Sequence, residues 1–309
     1  MLRTSLLAVS RSNRIRRLVQ ANPLTRSVVD RFVAGTTPDD ALQAVRQLHD
    51  RGLHASLDHL GEDTDDAQQA GTAVRAYQRM LRALSEAGLA GSAEVSLKLS
   101  AVGQALNPDG EKIALDNARR ICELASEIGT TVTLDMEDHT TTDATLTTLS
   151  DLRVDFPDVG AVLQAYLRRT EGDCRDLAVA GSRVRLCKGA YSEPASVAFR
   201  NKHEVDRSYA RCLGVLMAGG GYPMIATHDP RMIALSGDLA ARHDRAPGSF
   251  EYQMLYGIRP DEHRRIAEGG HRLRVYVPYG EQWYGYFTRR LAERPANLAF
   301  FLRSLASRT

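Results

Sequence analysis

The sequence predicts an α/β chain folded as a distorted (β/α)8 TIM-like barrel preceded by an N-terminal helical arm. Three observations carry this expectation. From Gly52 onward, short apolar or β-branched runs alternate with longer stretches of helical period, the pattern of parallel strands joined by right-handed crossovers. Eight such runs fall within about 250 residues, which favours a closed barrel over an open doubly wound sheet. Several runs also carry polar residues where a strand buried on both faces would not. The 309 residues could otherwise hold two ordinary domains. The division expected here is an arm over residues 1–50, packed on a catalytic barrel over 51–309.

In chain order, Met1 to Arg31 carries Arg3, Arg11, Arg14, Arg16, Arg17, Arg26 and Arg31 and meets no acid before Asp30. Helix-spaced Ile15, Leu18 and Val19 read as a basic arm that docks on the domain. A transit peptide or a membrane-surface helix are the alternatives. Thr37 followed by Asp39, Asp40 and the periodic Ala41, Val45 and Leu48 reads as an N-capped helix. The expected strands are Ala55 to Leu57, Glu94 to Leu99, Thr131 to Met136, Ala161 to Ala165, Arg183 to Cys187, Met224 to Ala226, Glu251 to Leu255 and Leu273 to Val277. Between them, helices are expected over Thr64 to Ala87, Lys112 to Ile128, Ala144 to Leu152, Val205 to Met217, Arg231 to Arg242 and Arg259 to Ala267.

Composition narrows the function classes. An apolar share of 43% and a charged share of 25% are those of a globular protein, and 40 basic against 38 acidic residues are too balanced for a chain built to neutralise nucleic-acid phosphates. Cys122, Cys174, Cys187 and Cys212 form no CxxC pair and read as reduced thiols. No run reaches the roughly 20 apolar residues of a membrane span, so a cytoplasmic protein is expected, with the arm the one candidate for peripheral membrane contact. There is no GxGxxG, GxxxxGK[ST] or GxSxG, and Gly219 to Gly221 is turn chemistry. Asp135, Glu137, Asp138 and His139, even with His228 and Asp229, match no metal-ligand spacing.

The strand-end polar residues Lys98, Asp135, Gln164, Arg185, His228 and Tyr276 come from different strands and converge on the carboxyl-terminal mouth of a barrel. Lys98, Arg185 and Lys188 would make that mouth cationic around Asp135. A final helix beginning near Arg289 and Arg290 would aim two guanidiniums at a carboxylate or phosphate. The plainer alternative is a solvated patch paired with Glu293 one turn on. A strand-end lysine, Lys98 or Lys188, could instead form a Schiff base, as in barrel lyases.

Seven ordered motifs match one family. VSLKLSA (Val95 to Ala101), LDMEDH (Leu134 to His139), VLQAYL (Val162 to Leu167), RLCKGAY (Arg185 to Tyr191), ATHDP (Ala226 to Pro230), EYQMLYG (Glu251 to Gly257), and YVPYG followed by YFTRRLAERPAN to Asn297 resemble the proline dehydrogenases. The likeness is to the short bacterial form, since no aldehyde dehydrogenase module follows, and it runs through nearly the whole chain after about residue 25. It implies a distorted barrel that binds FAD and oxidises L-proline to Δ1-pyrroline-5-carboxylate. It also implies a membrane quinone as electron acceptor and a pyrroline-5-carboxylate dehydrogenase as partner. By resemblance, Asp135 and Arg185 are the active-site pair, with Arg185 against the flavin. Arg289 and Arg290 clamp the proline carboxylate with Lys98 assisting, Glu293 orients an arginine, and Tyr276 and Leu255 wall the proline ring. Met136, Gln164, Lys188, Gly189, Ala190, Thr227 and His228 are the remaining FAD contacts. Cys187 stands where relatives often carry Val, and the basic arm is the least family-like part. Three readings stay open at this point: flavin-dependent proline oxidation, a Schiff-base lyase, and a non-enzymatic barrel whose arm binds nucleic acid or membrane.

Overall fold

The computed structural model describes residues 29–61 and 64–293, with side chains described as far as 288. Most of the basic arm and the side chains of Arg289, Arg290 and Glu293 therefore lie outside the described residues. Eight parallel strands close into a barrel in sequence order. They are β1 (His54–His59), β2 (Ala93–Leu97), β3 (Val132–Leu134), β4 (Gly160–Gln164), β5 (Arg183–Cys187), β6 (Tyr222–Ala226), β7 (Glu251–Leu255) and β8 (Leu273–Tyr279). The helices are α1 (Pro38–His49), α2 (Ala67–Glu86), α3 (Gly110–Glu127), α4 (Thr142–Arg153), α5 (Thr170–Leu177), α6 (Lys202–Ala218), α7 (Pro230–Arg242), α8 (Pro260–Glu268) and α9 (Trp283–Glu293).

Local chemistry sets the helix starts. Thr37 caps α1 in a reciprocal box with Asp40, and Pro38 occupies the first turn, where no backbone donor is lost. Asp66 caps α2, Asn201 caps α6, and Asp229 with Pro230 opens α7. All eight expected strands are present. Two differences matter for the site: α9 begins at Trp283, a turn and a half before Arg289, and β8 continues to Tyr279, which leaves Tyr276 in mid-strand rather than at the end.

The strands separate two environments, because successive side chains face opposite ways. Outward, Leu57, Val95, Leu97, Val132, Leu134, Leu163, Val184, Leu186, Ile225, Met254, Val275 and Val277 pack in one apolar core with the helices. Ala41, Ala44, Val45 and Leu48 of α1 join the same core. Inward, the lining is mostly polar, with Val162 and Met224 as apolar members in register with Arg185. The barrel closes where β8 pairs with β1, from His54 opposite Arg274 to His59 opposite Tyr279. The segment before α1 lies across this rim: the Ala34 N–H donates to the Pro278 carbonyl at 2.9 Å, and the Gly280 N–H to the Gly35 carbonyl at 3.1 Å. A Cβ at Gly257, where φ is +71°, would stand 1.7 Å from the Arg31 carbonyl oxygen, so the approach requires glycine. Among the described residues, no helix is long and apolar enough to cross a membrane.

Candidate active site

The strand sequences Glu94-Val95-Ser96-Leu97-Lys98, Arg183-Val184-Arg185-Leu186, Glu251-Tyr252-Gln253-Met254 and Leu273-Arg274-Val275-Tyr276 alternate polar with apolar, so each sends polar groups into the barrel. They stack in layers. Near the mouth, Asp135 follows β3, and its N–H donates to the Leu97 carbonyl at 2.8 Å. Its Oδ1 accepts from Ser96 Oγ at 2.7 Å and Arg185 Nη1 at 2.9 Å, and its Oδ2 accepts from the Tyr276 hydroxyl at 2.7 Å. Lys98 Nζ donates to Asp58 at 2.7 Å and stands 3.6 Å from Asp135 Oδ2.

Arg185 is the third of the five residues of β5, below the mouth and almost fully buried. Its Nε donates to Gln253, Nη1 to Ser96 and Asp135, and Nη2 to Ser56 at 2.9 Å and Glu94 at 3.0 Å. Those bonds employ every N–H of the guanidinium and fix its plane. The Tyr276 ring lies 5.4 Å from the Arg185 Cζ. Burial, then the nearby Asp135 and Asp58 carboxylates, push the Tyr276 phenol well above its ordinary pKa, so it remains a donor.

A deeper layer holds Glu94, within 2.7 Å of Arg183 Nη2 and 3.8 Å of Arg274 Nε, and Glu251, paired with Arg274 at 2.7 Å. Burial alone would raise the Glu94 carboxyl, but Arg274, Arg183 and Arg185 outweigh it and hold Glu94 far below the usual range. None of Ser56, Asp58, Glu94, Ser96, Arg183, Glu251, Gln253 or Arg274 was expected from strand-end position. The signal that finds them is the alternation itself.

The remaining expected contacts ring the mouth. Gln164 ends β4, and its amide donates to the Met136 and Glu137 carbonyls, both at 2.8 Å. Among the described residues, its Oε1 is buried without a partner. Gly189 has φ of +98°, and a Cβ there would come within 2.1 Å of the Tyr166 ring. Lys188 is bound by Asp206 and by Asp229 at 3.0 Å, and Ala190 is exposed. The His228 Nε2 accepts from the Leu255 N–H at 2.9 Å, which fixes the imidazole against the wall residue. Thr227 Oγ1 accepts from the Asp229 N–H at 3.1 Å. Direct contacts thus join Lys98, Asp135, Arg185 and Tyr276 in one cluster, Gln164 with Met136 in a second, and His228 with Leu255 in a third. Arg289, Arg290 and Glu293 are described only as backbone positions on α9, so the expected carboxylate clamp lies outside the described side chains. A cavity of about 540 Å³ beside the rim is lined by Val33, Gln43, Tyr256 and Trp283, and none of the cluster residues lines it. Among the described residues, no group of three His, Cys, Asp or Glu side chains could hold a metal.

The proline dehydrogenase family model matches residues 41–303. The chain is 38% identical over 305 residues to proline dehydrogenase 1 of Bacillus subtilis, covering 99% of both chains. It is 42% identical over 281 residues to the proline dehydrogenase of Deinococcus radiodurans, covering 90% of both. Among solved structures, proline utilization A from Bdellovibrio bacteriovorus inactivated by N-propargylglycine superposes with a TM-score of 0.80 at 27% identity. That match covers 87% of this chain but only 33% of the larger one. With this barrel, these motifs and near-full-length similarity, the chain belongs to the proline dehydrogenase family.

Proposed function

We propose that this protein oxidises L-proline to Δ1-pyrroline-5-carboxylate using bound FAD, with a membrane quinone as the next acceptor and a pyrroline-5-carboxylate dehydrogenase consuming the product. The observation that carries this reading is the Lys98–Asp135–Arg185–Tyr276 cluster near the carboxyl ends of the strands of a family member. Residues 1–50 serve as the arm and 51–309 as the catalytic unit. The quinone and the partner rest on the family resemblance, and a cytoplasmic site of action on the four free cysteines.

The donors present suit a flavin. Gln164 Oε1 is a buried acceptor held in place by its own amide, and an N–H of the flavin ring system is the kind of donor it lacks. Gly189 keeps the backbone open where any side chain would strike Tyr166. Met136, Gln164, Arg185, Lys188, Gly189, Ala190, Thr227 and His228 would hold the cofactor. When bound, the flavin supplies the hydride acceptor that no side chain can. Arg289 and Arg290 hold the substrate carboxylate by paired charge-assisted bonds, while Lys98 adds positive charge beside Asp135. Tyr276 and Leu255 confine the ring, which turns binding energy into orientation. Asp135 keeps Arg185 and Tyr276 in register. Hydride loss requires a neutral substrate amine, so activity rises with pH as the substrate ammonium deprotonates.

A Schiff-base lysine works as a free amine in an apolar setting. Lys98 and Lys188 are each tied to carboxylates, so the geometry offers no such amine. The absorbance spectrum of the purified protein tests the proposal. A flavin spectrum that bleaches on adding proline, with no reduction of added NAD by the protein alone, is expected. A colourless protein, or a flavin spectrum that proline leaves unchanged, would refute it.

A further inference from the structure

We propose that Glu94, outside every expected site position, is a positioning residue that sets how much of the Arg185 charge is felt at the mouth of the barrel. The inference rests on the reading that Arg185 adjoins the flavin. Arg185 is strung between two carboxylates, Asp135 above it at 2.9 Å and Glu94 below it at 3.0 Å. The two floor acids do different work. Glu251 is engaged by Arg274 through both oxygens, at 2.7 and 3.2 Å. Glu94 divides its oxygens: Oε2 pairs with Arg183 at 2.7 Å, while Oε1 accepts from Arg185 and from Thr133 Oγ1 at 3.2 Å. The Glu94 charge is therefore shared among Arg183, Arg185 and, at 3.8 Å from Oε1, Arg274, and whatever Arg183 and Arg274 do not claim offsets Arg185.

Glu94 is almost fully buried, so water screens this division weakly. Its neighbours are fixed, since Arg183 also donates to the Asp158 carbonyl at 3.2 Å. A merely structural carboxylate would affect unfolding and leave the redox balance of a cofactor alone. A charge-setting carboxylate shifts that balance, and its competitor Arg183 shifts it in the opposite direction.

The test is a spectroelectrochemical titration of the FAD-loaded enzyme without proline. Glu94→Gln makes the surroundings of Arg185 one charge more positive. It should favour the reduced flavin by about tenfold in the two-electron equilibrium, a rise of about 30 mV. Arg183→Gln leaves Glu94 acting more fully on Arg185 and keeps every bond of Arg185, so it should lower the potential. Should Glu94→Gln fail to fold, Arg183→Gln decides alone. Two-electron equilibria that stay within twofold of wild type in these variants, a shift under about 9 mV, while Arg185→Lys moves the potential, overturn the role of Glu94. If Arg185→Lys also leaves the potential unmoved, Arg185 does not adjoin the flavin and the underlying reading fails with it.

Discussion

The outer and inner faces of the same eight strands are built on opposite principles. On β8, Leu273, Val275 and Val277 point outward and are fully buried against helices, while Arg274 and Tyr276 between them enter a lattice of charge. The outer face follows the usual logic, each large apolar side chain contributing about 1.5–3 kcal/mol by leaving water. The inner face departs from it, since barrels of this kind are ordinarily filled by layers of Val, Ile and Leu. Buried ion pairs add little net stability because desolvation offsets their attraction. What the lattice supplies is orientation: Asp135 and Arg185 are each held by several bonds of set direction, and Tyr276 is held by its hydroxyl bond to Asp135 and by the Arg185 guanidinium against its ring. The outer face keeps the barrel folded, and the inner face aims the side chains at its mouth.

The largest test of this contrast is Arg274→Met. Removing one partner leaves Glu251 buried and uncompensated, at a cost of about 3–5 kcal/mol in chemical denaturation at neutral pH. Burial would raise the Glu251 carboxyl above its ordinary 4.5, yet Arg274 outweighs burial and holds it below that value. The stabilising share of the native pair is therefore complete above about pH 4.5 and fades as pH falls. Without Arg274 the same carboxyl is raised and protonates readily. The gap between wild type and variant should thus shrink toward acid pH. An apolar truncation on the outer face, Leu134→Ala, costs about 2–5 kcal/mol at either pH. A gap for Arg274→Met that does not change with pH would show the inner face to be ordinary packing.

A smaller effect is expected from Arg289→Ala or Arg290→Ala. Each loses a charge-assisted hydrogen bond worth about 1.5–3 kcal/mol, which lowers kcat/KM for proline roughly 10- to 150-fold with no matching loss in unfolding free energy. An efficiency within a factor of two of wild type would remove the carboxylate clamp. The smallest effect is on selectivity. Tyr276→Ser opens space beside Asp135 and offers a hydroxyl partner, so the preference for proline over 4-hydroxyproline should narrow by about 5-fold or more. An unchanged ratio of the two efficiencies would mean that the Tyr276 ring does not touch the substrate.

Much of this architecture was legible in the sequence, because strands such as Val162 to Gln164 and helices such as Ala67–Glu86 carry clear periods and turn signals. The short α5 was missed because Thr170-Glu171-Gly172-Asp173-Cys174-Arg175-Asp176-Leu177 shows no apolar stripe. Strand ends revealed Lys98, Asp135 and Gln164 but misplaced Arg185 and Tyr276, which stand in mid-strand. Glu94 and Arg274 stayed hidden for a different reason. A charge at the start of a strand reads as exposed, and only barrel closure brings residues so distant in sequence to 3.8 Å.

The distribution of interior charge bears on whether part of this barrel could stand alone. The first four strands and their ends contribute Asp58, Glu94 and Asp135 against Lys98. The last four contribute Arg183, Arg185 and Arg274 against Glu251. Each half would bury an excess of one sign, and the excesses cancel only across the junction. A fragment holding either half would have to leave like charges unpaired in its interior, a cost of several kcal/mol per ion that apolar half-barrels escape. Assembly is therefore cooperative from end to end, and the two halves of this chain are not interchangeable modules but complementary ions.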